Sequence, residues 1–502
     1  MTANIYALFA ESAERTGDKP LIVEDGHTWL RYDELAAATA RWAAALAGIG
    51  AQPGDRIVVQ VDKSVENVLL YLASLRAGLV YVPLNTAYTA AELAYFIDDA
   101  EPTIIVCDPA KEDAVAGIAG DAALFTLDRD GQGSLATLVT ETGTIDFETV
   151  ARKPGDLAAI LYTSGTTGVS KGAMLSHDNL ASNALVLKDY WHWQTDDVLI
   201  HALPVYHVHG LFVALHLALL GGSTIRFHRS FDADAVLADM SDATVLMGVP
   251  TFYVRLASHA GLTRETSGNM RLFISGSAPL LESTFADFGA KTGHRILERY
   301  GMTEAGMITS NPYDGDRIPG TVGFPLPGVS ARVADDSGVE VGRGEPGVLE
   351  ICGPNLFRGY WKKSDKTAED IRPDGYFITG DIATMDANGR VAIVGRAKDL
   401  IIAGGLNIYP KEIELAIDAV PSVAESAVIG VPHPDLGEAV VAVVVRDSEH
   451  VGESEIMTVL EDRLARFKQP RRIVFAEALP RNAMGKVQKA KLRDDFEGLF
   501  EE

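Results

Sequence analysis

The stretch Tyr162-Thr163-Ser164-Gly165-Thr166-Thr167-Gly168-Val169-Ser170-Lys171-Gly172 carries three glycines, five Ser or Thr hydroxyls and one lysine. Glycine lets backbone N–H groups converge on an anion, hydroxyls donate to phosphate oxygens, and lysine supplies charge. Together they describe a phosphate cradle. It is not a Walker A loop, because Ser170 rather than glycine precedes Lys171. Gly168-Val169-Ser170-Lys171-Gly172 also matches the GxSxG nucleophile elbow. An elbow needs a strand running directly into the serine, and here Ser164 to Val169 intervene.

Further chemistry-bearing clusters follow in order. Pro204-Val205-Tyr206-His207-Val208-His209-Gly210 places two imidazoles near a strand end. Ser275-Gly276-Ser277-Ala278-Pro279 closes a later strand, and Glu298-Arg299-Tyr300-Gly301-Met302-Thr303-Glu304 sets an acid and a hydroxyl where a metal–phosphate complex would fit. Thr379-Gly380-Asp381, Gly395-Arg396-Ala397-Lys398-Asp399 with Gly404-Gly405, and Pro480-Arg481-Asn482-Ala483-Met484-Gly485-Lys486 complete the series. Each alone reads as a turn or a solvated charge. Their ordered combination is far more specific.

The elements that must hold these groups are legible as alternating short apolar runs and helical patterns. Strands are predicted at 157–162, 197–200, 244–247 and 272–274, with helices at 178–191, where Ser176 is the N-cap, and 232–240. The stretch at 162–172 follows a strand and lies ahead of the 178–191 helix. Strand and helix in alternation imply a largely parallel sheet covered on both faces, with ligands at its carboxyl ends. The first ~150 residues repeat the alternation at 56–60, 65–77 and 103–106, which predicts a second layered sheet of their own. After Gly320, Gly-punctuated β segments at 347–351 and 391–394 take over. A smaller α+β unit follows Arg396, with helices at 410–419 and 453–466 and strands at 426–429 and 440–445.

Composition limits the partners. Length 502 with 47% apolar and 23% charged residues is that of a globular protein of several domains. Forty-four basic against 69 acidic residues give a net charge of −25, which repels phosphate backbones and anionic lipid. Neither nucleic acid nor membrane is therefore expected as a partner, and an anionic ligand needs a local site that overrides the global field. Cys107 and Cys352 cannot build a disulfide framework and read as buried small apolar side chains in a reducing compartment. No apolar run reaches ~20 residues, and the start lacks a signal pattern. The expected location is cytoplasmic.

In the order of these motifs the chain resembles the adenylate-forming superfamily of acyl-CoA synthetases, carrier-protein adenylation domains and beetle luciferases, over essentially its whole length. Within it, 172–180, 247–253, 310–317 and 484–489 most resemble malonyl-CoA synthetases. The resemblance implies an α/β fold: a large N-terminal domain, 1–396, of layered, mostly parallel sheets with helices plus a small β-rich part, then a small mobile α+β C-terminal domain, 397–502. It implies ATP, Mg²⁺ and coenzyme A, and ligation of malonate, or also methylmalonate, through an acyl-adenylate. Another short or aromatic acid is the alternative.

The resemblance also assigns residues. Thr163, Ser164, Gly165, Thr166, Thr167, Gly168 and Lys171 would hold the β- and γ-phosphates, with Thr166 and Glu304 helping to hold Mg²⁺. Ser277, Ala278, Pro279, Glu298, Arg299, Tyr300, Gly301, Met302 and Thr303 would line the adenine pocket and approach the α-phosphate. Asp381 would accept from the ribose hydroxyls, with Arg396 beside it. Lys486, Glu304, Thr166 and His207 would carry catalysis, Lys398 the hinge, and Gly404, Gly405 and Leu406 the pantetheine path. Val169 stands where close relatives often carry a basic residue, so no phosphate contact is expected from it. A second carboxylate needs a cationic or multiply hydrogen-bonded partner; His207, His209 and Arg229 are the candidates, and Met307 would close the pocket. Partners are small molecules, and the expected state is a monomer or weak homo-oligomer.

Overall fold

The structure, a computed structural model, describes residues 3–163, 170–403, 406–434, 436–447, 451–482 and 485–500. Ser164, Gly165, Thr166, Thr167, Gly168, Val169, Gly404, Gly405, Ala483 and Met484 lie outside the described residues.

Two large sheets form the N-terminal domain. The nine-stranded sheet runs Phe324–Pro325, Gly306–Ser310, Leu297–Met302, Leu272–Ser275, Val245–Gly248, Val198–His201, Thr224–Phe227, Pro20–Glu24, His27–Arg31. Its middle is parallel and its two edges are antiparallel. Strands such as Val245–Gly248 and Leu272–Ser275 are buried throughout, which is why they read as unbroken apolar runs rather than as alternations. The six-stranded sheet runs Ala123–Thr126, Ile104–Cys107, Arg56–Gln60, Val80–Pro83, Leu157–Thr163, Lys171–Ser176.

Sheet membership corrects one expectation. The first ~150 residues do not keep a sheet to themselves. Pro20–Glu24 leaves to pair with Thr224–Phe227 (Ile22 opposite Ile225), while Leu157–Thr163 joins the six-stranded sheet through Tyr81 opposite Ala159. Both exchanges bring partners together from far apart in sequence, and periodicity within a strand carries no information about such pairing.

The phosphate-cradle segment lies ahead of the helix, with the strand Lys171–Ser176 between them pairing antiparallel with Leu157–Thr163. The helix itself spans His177–Tyr190 and is capped as expected: Ser176 Oγ accepts from Asn179 N at 3.2 Å, and Asn179 Oδ1 accepts from Ser176 N at 2.9 Å. Cys107 is buried, but Cys352 is only half-buried, because it ends the Gly347–Cys352 strand at the rim of its sheet.

A four-stranded antiparallel sheet (Ser330–Ala334, Gly347–Cys352, Phe377–Met385, Val391–Arg396) supplies the β-rich part. The C-terminal domain has a five-stranded sheet in which Gly437–Arg446 pairs with Val423–His433, Arg472–Ala476 and Ile401–Ala403. Its helix Glu453–Arg463 ends before the expected Arg466, since Leu464 turns to extended backbone. Among the described residues, the apolar clusters of 401–500 share no member with those of the preceding chain.

Candidate active site

The site gathers where the hairpin, the carboxyl ends of the nine-stranded sheet and the end of the chain meet. Thr163 lies opposite Lys171 across the hairpin. Both feet of the loop are tied to the helix Ala90–Ala100: Tyr162 Oη donates to Asp99 Oδ2 at 2.6 Å, and Tyr95 Oη donates to the Ser170 carbonyl at 2.7 Å. Lys171 is buried, with its Nζ 5.0 Å from the Tyr360 ring centroid, and Tyr360 Oη donates to Glu304 Oε1 at 3.1 Å. Burial pushes the Glu304 carboxyl up and the Lys171 ammonium down, so each favours an added partner of opposite charge.

Asp381 is the second anchor. It is buried, accepts from Tyr300 Oη, and pairs with Arg396 Nε at 2.6 Å from the facing strand position. Tyr300 and Arg396 together aim one carboxylate at the pocket.

Lys486 reaches the same place from the C-terminal domain. Its backbone is closed into a turn, with Asn482 N donating to Lys486 O at 2.9 Å and Lys486 N donating to Asn482 Oδ1 at 3.0 Å. Gly485 has φ of +73° and faces Thr251, which explains glycine next to the lysine. Burial lowers the Lys486 pKa; the Arg396 and Arg299 charges lower it further, while Asp381 and Glu304 raise it. Four groups expected to share a site thus share one electrostatic environment.

Arg299, His207 and His209 form a further cluster beside Lys486. Arg299 is 3% exposed, and its Nε and Nη2 have no hydrogen-bond partner among the described residues. Its guanidinium packs against Gly276, where a Cβ would lie 2.3 Å from Nη1. Burial draws Arg299 down to about 9. His207, whose Nδ1 has no partner among the described residues, is held neutral by burial and by the Lys486 and Arg299 charges, which draw its pKa down to about 3. His209 is buried, its Nδ1 3.4 Å from Ser277 Oγ, and its Nε2 is unpartnered. Ser277 holds a φ of +73°, a conformation L side chains rarely adopt, which marks this turn as strained. Met307 is buried against Gly301, where a Cβ would sit 2.6 Å from its Cε.

Other expected residues lie elsewhere. Arg229 does not face this pocket through any of its contacts: its Nε binds Glu24 at 2.6 Å and its Nη1 binds Asp130 at 2.7 Å. A guanidinium already paired twice has little left for a substrate. Glu298 points to the face opposite Arg299, as alternation along the strand requires. It accepts from Leu280 N at 3.0 Å, and burial pushes it up to about 7. Ser277 and Ala278 are half-buried and Pro279 is exposed; Gly301, Met302 and Thr303 are half-buried along the strand end and the turn after it. Lys398 is exposed in the short 3₁₀ turn Ala397–Asp399, and Leu406 is exposed. Arg299, expected among the nucleotide residues, lies on the strand face opposite its neighbour Glu298.

A profile of the AMP-binding enzyme family matches residues 9–361, and that of the AMP-binding enzyme C-terminal domain matches 412–486. The chain belongs to the AMP-binding enzyme family. ATP-bound MatB from Rhodopseudomonas palustris is 55% identical with all of both chains covered, and superposes with a TM-score of 0.96. The same protein in its apo form superposes less well, at 0.87 over the same coverage. A malonate–CoA ligase of Arabidopsis thaliana is 35% identical over 90% of this chain and 79% of its own length. A long-chain-fatty-acid–CoA ligase of Yersinia pestis is 32% identical over 98% of this chain and 94% of its own.

Proposed function

We propose that the chain is an AMP-forming malonate–CoA ligase that converts malonate, ATP and coenzyme A to malonyl-CoA, AMP and pyrophosphate through malonyl-adenylate. The observation that carries the acid assignment is Arg299, a buried guanidinium with two unpartnered donors beside neutral imidazoles. An isolated buried cation is costly unless an anion joins it. A second carboxylate on the acid would do so, and a monocarboxylic acid would leave it bare. The likeness to a malonate–CoA ligase supports the same reading.

In this reading the first half-reaction joins two anions, so charge stabilisation and positioning dominate. Lys486 shares its electrostatic environment with Asp381, Arg396 and His207, and there it would neutralise the attacking carboxylate and the α-phosphate at once. Asp381 accepts from the ribose hydroxyls. The hairpin loop with Lys171 holds the outer phosphates. Among the described residues no group of three or more metal-ligating side chains exists. A hard cation would therefore be held mainly by the phosphates, with Glu304 and Thr166 adding oxygen ligands, which suits Mg²⁺. Bound Mg²⁺ would offset phosphate charge. Glu304, buried and raised, is ready to accept it.

For the second half-reaction the C-terminal domain would turn about Lys398, withdrawing Lys486 and bringing the segment 404–406 to the thiol path, with the boundary at 396/397. Among the described residues no helix is long and apolar enough to cross a membrane. A cytoplasmic enzyme, monomeric or weakly self-associating, completes the proposal.

The test is AMP release with ATP and coenzyme A across acetate, malonate, methylmalonate, succinate and hexanoate. Malonate is expected to lead, followed by methylmalonate; a clear preference for acetate or hexanoate overturns the assignment.

A further inference from the structure

Lys63 follows the strand Arg56–Gln60 of the six-stranded sheet, yet its ammonium is buried in the nine-stranded one. Nζ lies 2.7 Å from the His201 carbonyl, 2.6 Å from the His228 carbonyl and 2.9 Å from His201 Nδ1, with the Phe227 ring centroid 4.5 Å away. Three acceptors use all three ammonium protons. His201 and Phe227 are register partners on neighbouring strands, so one lysine ties the carboxyl ends of both to the other sheet.

The imidazole passes the contact on. His201 Nε2 is 2.9 Å from the Gly210 carbonyl, which can only accept, so Nε2 carries a proton. In the neutral ring Nδ1 is then bare and faces a donating ammonium. In the charged ring Nδ1 donates to a Lys63 amine. In either state every contact of the pair is satisfied.

The Gly210 carbonyl also accepts from Leu215 N, five residues on, closing the π-helical turn His209–Ala214. Only glycine fits at 210, since a Cβ would lie 2.0 Å from the Pro204 carbonyl. Leu211 N donates to the His207 carbonyl at 2.9 Å. The anchored turn therefore fixes the backbone that presents both His207 and His209 beside Arg299.

We infer that Lys63 and His201 are positioning residues: a hydrogen-bonded staple between the two sheets that sets the depth of the His207–His209 wall and so the size of acid the Arg299 pocket admits. Neither touches substrate. The inference rests on the reading of that wall as the acid's.

The experiment is ATP–pyrophosphate exchange on the full chain, reading the KM for acid and for ATP separately, with a thermal melt of each variant. His201→Asn, which cannot reach Gly210, and Lys63→Met are each expected to raise the acid KM about tenfold while the ATP KM stays within about twofold. His201→Gln, which can still present an amide N–H to that carbonyl, is expected to recover most of the loss. Should Lys63→Met fail to fold, Lys63→Arg is read in its place, with the same acid-only shift expected. Equal rises in both KM values, or His201→Gln no better than His201→Asn, overturn the inference. If wild-type enzyme works best with a monocarboxylic acid, the malonate reading falls, and the KM split is then measured with that acid, so the two failures stay separable.

Discussion

Arg229 and Arg299 belong to the same nine-stranded sheet, one just after the strand Thr224–Phe227 and the other within Leu297–Met302. Arg229 is half-buried and clasped by Glu24 and Asp130, which hold its proton more tightly. Arg299 is sealed in, has no anionic contact among the described residues, and binds its proton less tightly than an exposed guanidinium. The first is complete without a ligand. The second carries a buried charge that no described residue neutralises. A cation whose neighbours already neutralise it serves the fold, and a buried cation left unneutralised points to what binds.

The largest effect that would test this contrast is at Lys486, another cation of the site. Lys486→Ala is expected to reduce adenylate formation by about 10²–10³, or roughly 3–4 kcal/mol, while thioester formation from supplied adenylate largely survives. Equal loss of both half-reactions, measured by exchange and by single-turnover thiolysis, would remove it from the adenylation step.

Arg299→Gln comes next. Loss of one partner of a buried charge pair is worth about 2–4 kcal/mol, so kcat/KM for malonate should fall about a hundredfold. Acetate or propionate should lose far less. A uniform fall across acids would mean that Arg299 supports the fold or the nucleotide instead.

Glu298 extends the contrast to a buried acid. Its pKa rises from 4.5 unfolded to about 7 folded, so the native state binds the proton more tightly. Its stabilising contribution is full below pH 4.5 and is lost as pH rises through about 7. Glu298→Gln should therefore flatten the pH dependence of stability across that window, by about 2–3 kcal/mol in urea melts at pH 5 and pH 8. An unchanged slope would show that Glu298 is ionised in the native state.

The smallest effect belongs to Arg229→Gln. A half-exposed ion pair is worth about 1 kcal/mol or less, and the malonate KM should stay within about twofold. A tenfold rise would restore Arg229 to the acid site and erase the contrast.

The sequence was most informative where chemistry is local. Ser176 as N-cap, the strand runs and the ordered motifs around Asp381, Arg396 and Lys486 all depend on neighbours within a few residues or on resemblance across the chain. What escaped depends on long-range pairing. That Pro20–Glu24 lies beside Thr224–Phe227, that a strand separates the cradle segment from its helix, and that Arg229 meets Glu24 are facts of tertiary assembly. Lys63, flanked by Asp62 and Ser64, looks like any solvated lysine until two sheets close over it.

The C-terminal domain's apolar side chains cluster only with one another among the described residues, and Lys486 enters the pocket on a turn whose backbone bonds are internal. Detaching this unit would strip no oil-like interior and unravel no ladder. It would trade polar touches for water, a nearly even exchange. In the proposed cycle such a balance would be tipped by whichever molecule occupies the cleft, so that pyrophosphate leaving after adenylation would be the signal for the domain to turn, without any spring stored in the chain.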